Sequence, residues 1–194
     1  MDETWRRLDN VSNGESMVFV ETAEETGDQR LVLVVDVEPG SGPALHSHHQ
    51  QETFELVSGS IQLRHERTQR LLEPGEAATV PGGDLHCFTN VGEGPAQVKV
   101  TVVPPMHFER TMRVLVGLTQ EGRLGKMGER PPEPALMAAI CCVSGFYMPP
   151  MPKPVWNVMT ALLAPFGQRA LREAIERHDR PRPAPGERVG QLAG

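Results

Sequence analysis

Apolar residues in the first half of the chain recur with the two-residue period of a pleated strand. In the second half they recur at the three- and four-residue intervals of a helix. Met17 to Glu21 reads as a strand and Glu24 to Gln29 as a charged turn. Leu31 to Val37, nearly all apolar and β-branched, reads as a buried strand. Ile61 and Leu63 alternate with polar neighbours until the pattern lapses at His65. Ile61 to Arg64 and Leu71-Leu72 therefore form a hairpin with a polar tip at Glu66 to Thr68. Val98, Val100 and Val102 alternate with polar partners until Pro104-Pro105 stops the run. Gly59, Pro74-Gly75, Pro81-Gly82-Gly83 and Gly94-Pro95 fall between these strands, where reversals need turn residues and glycine is free to take positive φ.

Beyond Pro105, Phe108, Met112, Leu115, Val116 and Thr119 predict an amphipathic helix ending near Glu121-Gly122, followed by a linker from Gly125 to Pro134. Two apolar stretches, Ala135 to Met148 and Val155 to Phe166, flank a proline-rich break and predict a helical hairpin; Leu171 to His178 reads as the end of a charged helix. Neither stretch reaches the ~20 residues of a spanning helix, and neither carries a basic face, so a membrane partner is disfavoured. The pattern divides the chain into four parts. Residues 1–15 are an arm or first short strand with a turn at Asn13-Gly14, and 16–104 are a β-barrel. Residues 105–180 are a helical extension packed on the barrel or at a dimer interface, and 181–194 are a disordered Pro/Arg/Gly/Ala tail.

Composition narrows the function classes. The 194 residues, 39% hydrophobic, suffice for one substantial core with a helical appendage. A net charge of −6 with no basic run before the tail gives no electrostatic footprint for nucleic acid. The three cysteines are odd in number and Cys141-Cys142 are adjacent, which suits a reducing compartment. The start, Met-Asp-Glu-Thr-Trp, lacks the basic and apolar segments of a secretory signal, so a cytoplasmic location is expected. Edge strands and apolar helical faces of this size point to a homodimer.

Candidate chemistry lies in two stretches. In the first, Gly40 is followed after five residues by His46, then His48, Glu52 three residues on, and Gly59 after six more. In the second, Gly75 precedes Pro81, Gly83, His86 and Asn90. On one strand, His46, His48, Glu52 and Phe54 share a face, whereas parity puts His49 on the other. A third imidazole, His86, reaches the same point from a neighbouring strand. Three neutral nitrogens and one carboxylate suit Fe, Mn, Co, Ni, Cu or Zn. Phe54 and Phe88, two residues beyond Glu52 and His86, should border the ion, and with Met148 and Met151 they favour an apolar or aromatic small-molecule substrate over a sugar. His65, His107 and His178 take the default reading of structural or surface histidines.

Both stretches resemble the two signature motifs of the cupin superfamily, with every fixed position occupied and the short intervening segment of small single-barrel members. The resemblance implies a mainly β fold, a cupin-type double-stranded β-helix (jelly-roll) barrel, here with a C-terminal α-helical extension. It further implies a divalent transition metal on His46, His48, Glu52 and His86. In similar proteins the metal-bound carboxylate can detach and act as a base toward a substrate hydroxyl, which makes Glu52 the candidate catalytic residue of a quercetinase-like dioxygenase. A redox-neutral cyclase, isomerase or lyase, or a non-catalytic binding protein, remains open. A sugar epimerase is disfavoured, because the only tyrosine, Tyr147, falls in the helical appendage.

Overall fold

The structure is a computed structural model that describes residues 4–10, 13–124 and 133–179. The predicted tail and most of the predicted 125–134 linker lie outside the described residues. Nine strands are present among them: β1 (Arg7–Asn10), β2 (Glu15–Glu21), β3 (Leu31–Val37), β4 (Gln51–Ser58), β5 (Ile61–His65), β6 (Thr68–Leu72), β7 (Ala77–Val80), β8 (His86–Asn90) and β9 (Ala96–Val103). They form a six-stranded sheet in the order β1-β2-β3-β9-β4-β7 and a three-stranded sheet in the order β6-β5-β8, with antiparallel pairing throughout. The chain passes between the sheets after β4, β6, β7 and β8, the winding of a jelly roll. The two sheets form the walls of the barrel without a continuous hydrogen-bonded ladder joining them.

Period-two alternation decides which side chains fill the space between the walls. In β9, Ala96, Val98, Val100 and Val102 are buried while the residues between them are partly exposed. The fully buried Phe19, Leu31, Leu56, Ile61 and Leu72 come from both sheets into one cluster. Each such side chain contributes about 1.5–3 kcal/mol of transfer free energy. The N-terminal segment supplies a strand: β1 pairs with β2 from Arg7 opposite Val18 to Asn10 opposite Glu15.

Three helices follow, α1 (Phe108–Gln120), α2 (Pro134–Ser144) and α3 (Lys153–His178). The second apolar stretch and the charged segment are one continuous helix of 26 residues that runs through Pro165. The proline is tolerated because Pro165 and Ala161 both face solvent, where water can satisfy the carbonyl that loses its helical partner. Leu136, Ala139 and Ile140 of α2 pack with Val114 and Leu118 of α1 and with Ala164, Leu171 and Ala174 of α3 in a second apolar cluster. Gly167 sets the closeness of α2 and α3, since a Cβ there would lie 2.0 Å from the Ala135 carbonyl oxygen. No helix among the described residues is long and apolar enough to cross a membrane.

Candidate metal centre

The loop from β3 to β4 carries the first two histidines, and backbone pairing on both sides holds it extended. His46 and His86 exchange N–H···O bonds of 3.0 and 2.8 Å, and Ser47 exchanges two of 2.9 Å with Tyr147, in the segment after α2. A single strand from His46 to Phe54 was the sequence expectation; instead the chain bends at His49 and Gln50 and β4 begins at Gln51. The bend arises because loop 81–83 crosses there: the Gly83 N–H donates to the His48 carbonyl at 2.6 Å, with Gly83 at φ +94°, where a Cβ would be strained. His48 and Glu52 nevertheless point to the same side, and His49 is exposed. His65 pairs with Asp84 at 2.8 Å and His178 with Glu121 at 3.0 Å, both away from the cluster.

His46, His48, Glu52 and His86 each offer one donor atom, and these four atoms lie within 4.8 Å of one another. Glu52 Oε2 stands 2.8 Å from His86 Nε2 and 3.2 Å from His48 Nε2. His46 Nδ1 donates to the Ala44 carbonyl at 2.7 Å and His86 Nδ1 to the Asp84 carbonyl at 2.9 Å, which leaves both Nε2 atoms to the centre. Both ring nitrogens of His48 are buried without a hydrogen-bond partner; the contact with Glu52 is close but not aligned for a hydrogen bond. An orphaned buried imidazole is costly unless something else takes up its lone pair. The donor set therefore fits a divalent cation.

Electrostatics agree with that fit. Burial pushes the Glu52 carboxyl upward, but His48 and His86 outweigh it and hold the group well below the ordinary carboxylate range. Burial opposes the charged form of His86, yet the Glu52 carboxylate raises it overall. His46 falls to about 4, by burial first and by its neighbour His86 second. Neutral imidazole is the ligating form.

The cluster opens on a cavity of about 250 Å³ with mostly apolar walls. Phe54 and Phe88 line it with ring centroids 5.6 Å apart, and Met148 joins them; Met151 instead offers its carbonyl to the Tyr147 hydroxyl at 2.6 Å. A further wall is helical: Phe108 and Met112 of α1, Met137 and Ile140 of α2, and Phe146 beyond it. Phe146 stacks on His46 at 5.4 Å between centroids, and Phe108 meets His48 edge-on at 5.4 Å. Two further lining residues, Asn13 and Glu15, are polar. Sequence reasoning passed over them, although alternation from Phe19 and Met17 places Glu15 on the same apolar face.

A jelly roll enclosing three histidines and a glutamate defines a class of small β proteins built around a metal-type site. The match to known families is direct: residues 33–103 match the cupin domain family, a span that runs from within β3 to the end of β9 and contains all four clustered residues, so this segment is a cupin domain. A mannose-1-phosphate guanylyltransferase of Escherichia coli K12 is 31% identical over 72 residues, 37% of this chain but only 15% of that enzyme. Among solved structures, a protein of Thermus thermophilus is 27% identical with a TM-score of 0.39, covering 40% of this chain and 74% of its own. A sugar phosphate isomerase of the cupin superfamily from Silicibacter pomeroyi is 28% identical with a TM-score of 0.41, covering 46% and 59%.

Proposed function

We propose that this protein is a metal-dependent, dioxygenase-like cupin enzyme acting on a small apolar, aromatic or enolic molecule. The observation that supports the reading most is the cluster of His46, His48, Glu52 and His86 donors, of which His46, Glu52 and His86 line a mostly apolar cavity of about 250 Å³. An ion held there would supply Lewis acidity and, for a redox-active metal, a place for dioxygen chemistry.

The chain's own residues supply the remainder. Phe54, Phe88 and Phe146 grip the apolar body of a substrate, and α1 and α2 keep water from the wall they form beside the cluster. Glu52 Oε2 is the atom to take a proton from a substrate hydroxyl. A proton on Nε2 of His86, with His48 close by, keeps it ionised but weakly basic, so its strength as a base rises when that nitrogen presents a lone pair and no longer donates to it. We also propose a homodimer, supported by an exposed apolar stripe on α3 formed by Val155, Val158, Leu162 and Phe166.

Metal analysis of protein purified without chelators, joined to oxygen uptake against catecholic and enolic compounds, tests the reading. Near-stoichiometric transition metal with substrate-dependent oxygen consumption is expected. Turnover unchanged by exclusion of oxygen would replace the oxygenase with a redox-neutral cyclase, isomerase or lyase. Absence of metal would overturn the metal-dependent reading altogether.

A further inference from the structure

The cavity has a second polar pole. Glu15 pairs with Val37, the last residue of β3, whereas Glu52 lies in the row of Val102 and Leu31, the first residue of β3. The two carboxyl groups thus enter the cavity from opposite ends of the sheet, with Met17, Leu33, Val35, Phe54 and Val100 lining the apolar stretch between. Glu15 is only 8% exposed and receives a hydrogen bond from Asn13 Nδ2. The other end of that amide is unfinished: Asn13 Oδ1 is buried and has no donor. A pair that served only the turn between β1 and β2 would not leave a buried acceptor unpaired on a cavity wall. Burial, opposed by the Asn13 contact and reinforced by the charge of Glu52, raises the Glu15 carboxyl to about 7, so it can be present as a neutral acid able to donate.

An accepting oxygen beside a carboxylic acid is complementary to a group that both donates and accepts. We propose that Asn13 and Glu15 form a specificity subsite for a hydroxyl group at the far end of an otherwise apolar ligand whose near end faces the histidine cluster. The ligand O–H donates to Asn13 Oδ1, and its oxygen accepts from Glu15. This rests on the metal-dependent reading above only for what holds the near end. It narrows the substrate class from an apolar aromatic or enolic molecule to one carrying polar groups at both ends.

The test uses the full chain loaded with Co(II) and two matched probes, 4-phenylcatechol and 4-(4-hydroxyphenyl)catechol, titrated by calorimetry. In the native sequence the distal hydroxyl should tighten binding about tenfold, the effect of one well-made buried hydrogen bond. In Glu15→Leu the ratio should fall to within about twofold, with Co(II) content unchanged. Should Glu15→Leu fail to fold, Glu15→Met and Asn13→Ala replace it, and at least about a threefold fall in the ratio is expected. The proposal is overturned if the native protein shows no preference, absence of binding by both probes included, or if the preference survives substitution. His48→Ala separates the two readings. Loss of Co(II) and of both probes supports a metal-held near end, whereas equal binding without Co(II), with the preference still tied to Glu15, would sink the metal reading and leave the far subsite standing.

Discussion

The strand half and the helical half of this molecule each own an apolar cluster, and they contribute differently to one cavity. The sheets and the loop between β3 and β4 supply every donor of the candidate metal centre, fixed by backbone pairing at His46, Ser47 and His86. The helices supply Met112, Met137 and Ile140, side chains that shape space without offering strong ligands. Phe108 and Phe146 touch donor rings, but the division suggests that Met112, Met137 or Ile140 can be replaced to change selectivity with the donor set kept.

The sharpest way to break this comparison is His48→Ala. It should weaken divalent metal binding at least about hundredfold, read by metal analysis after dialysis, while the far-ultraviolet circular dichroism stays native. The converse is Leu136→Ala in the helical cluster, where the side chain is 1% exposed. It should lower unfolding free energy by about 2–5 kcal/mol in urea and leave metal stoichiometry intact; loss of metal there would show that the halves are not separable.

Glu15 tests the far end of the sheet by pH. Its carboxyl binds a proton more tightly folded, at about 7, than unfolded, near 4.5. The contribution of Glu15 to native stability is therefore greatest below 4.5 and declines as pH rises through that window, by about 3 kcal/mol in all. Glu15→Gln should remove the decline, gaining on the native protein at about pH 8 relative to about pH 4; parallel stability curves would contradict the burial of a protonated acid. The smallest effect belongs to His49→Ala. The exposed ring should leave metal content unchanged and stability within about 0.5 kcal/mol, and a loss equal to that of His48→Ala would defeat the assignment of facing.

Much of the strand half was legible because period-two burial leaves a direct imprint on sequence. Leu31 to Val37 and the hairpin around Glu66 were readable from alternation and turn residues, and the family resemblance added the grouping of His46, His48, Glu52 and His86. The bend at His49 and Gln50 was not readable, because it depends on Gly83 of a distant loop docking on the His48 carbonyl. Continuity of α3 through Pro165 was hidden for a similar reason: local propensity penalises proline, and only the packing of Ala164, Gly167, Leu171 and Ala174 on either side of the proline offsets the penalty. A helical extension packed on the barrel was one expectation, but which helical residues line the cavity was not readable, since nothing local tells α2 which strands it will face. Glu15 could have been found, as an acid in register with Met17 and Phe19.

The reciprocal pair between Ser47 and Tyr147 has a mechanical meaning. Ser47 sits between two of the imidazoles, and Tyr147 lies between Phe146 and Met148, both on the cavity wall. Displacing the segment after α2 would stretch those two bonds and tug the histidine-bearing backbone with them. The donor cluster and the helical wall thus share a tether, so by reciprocity whatever fixes the spacing of the imidazoles also resists displacement of that wall.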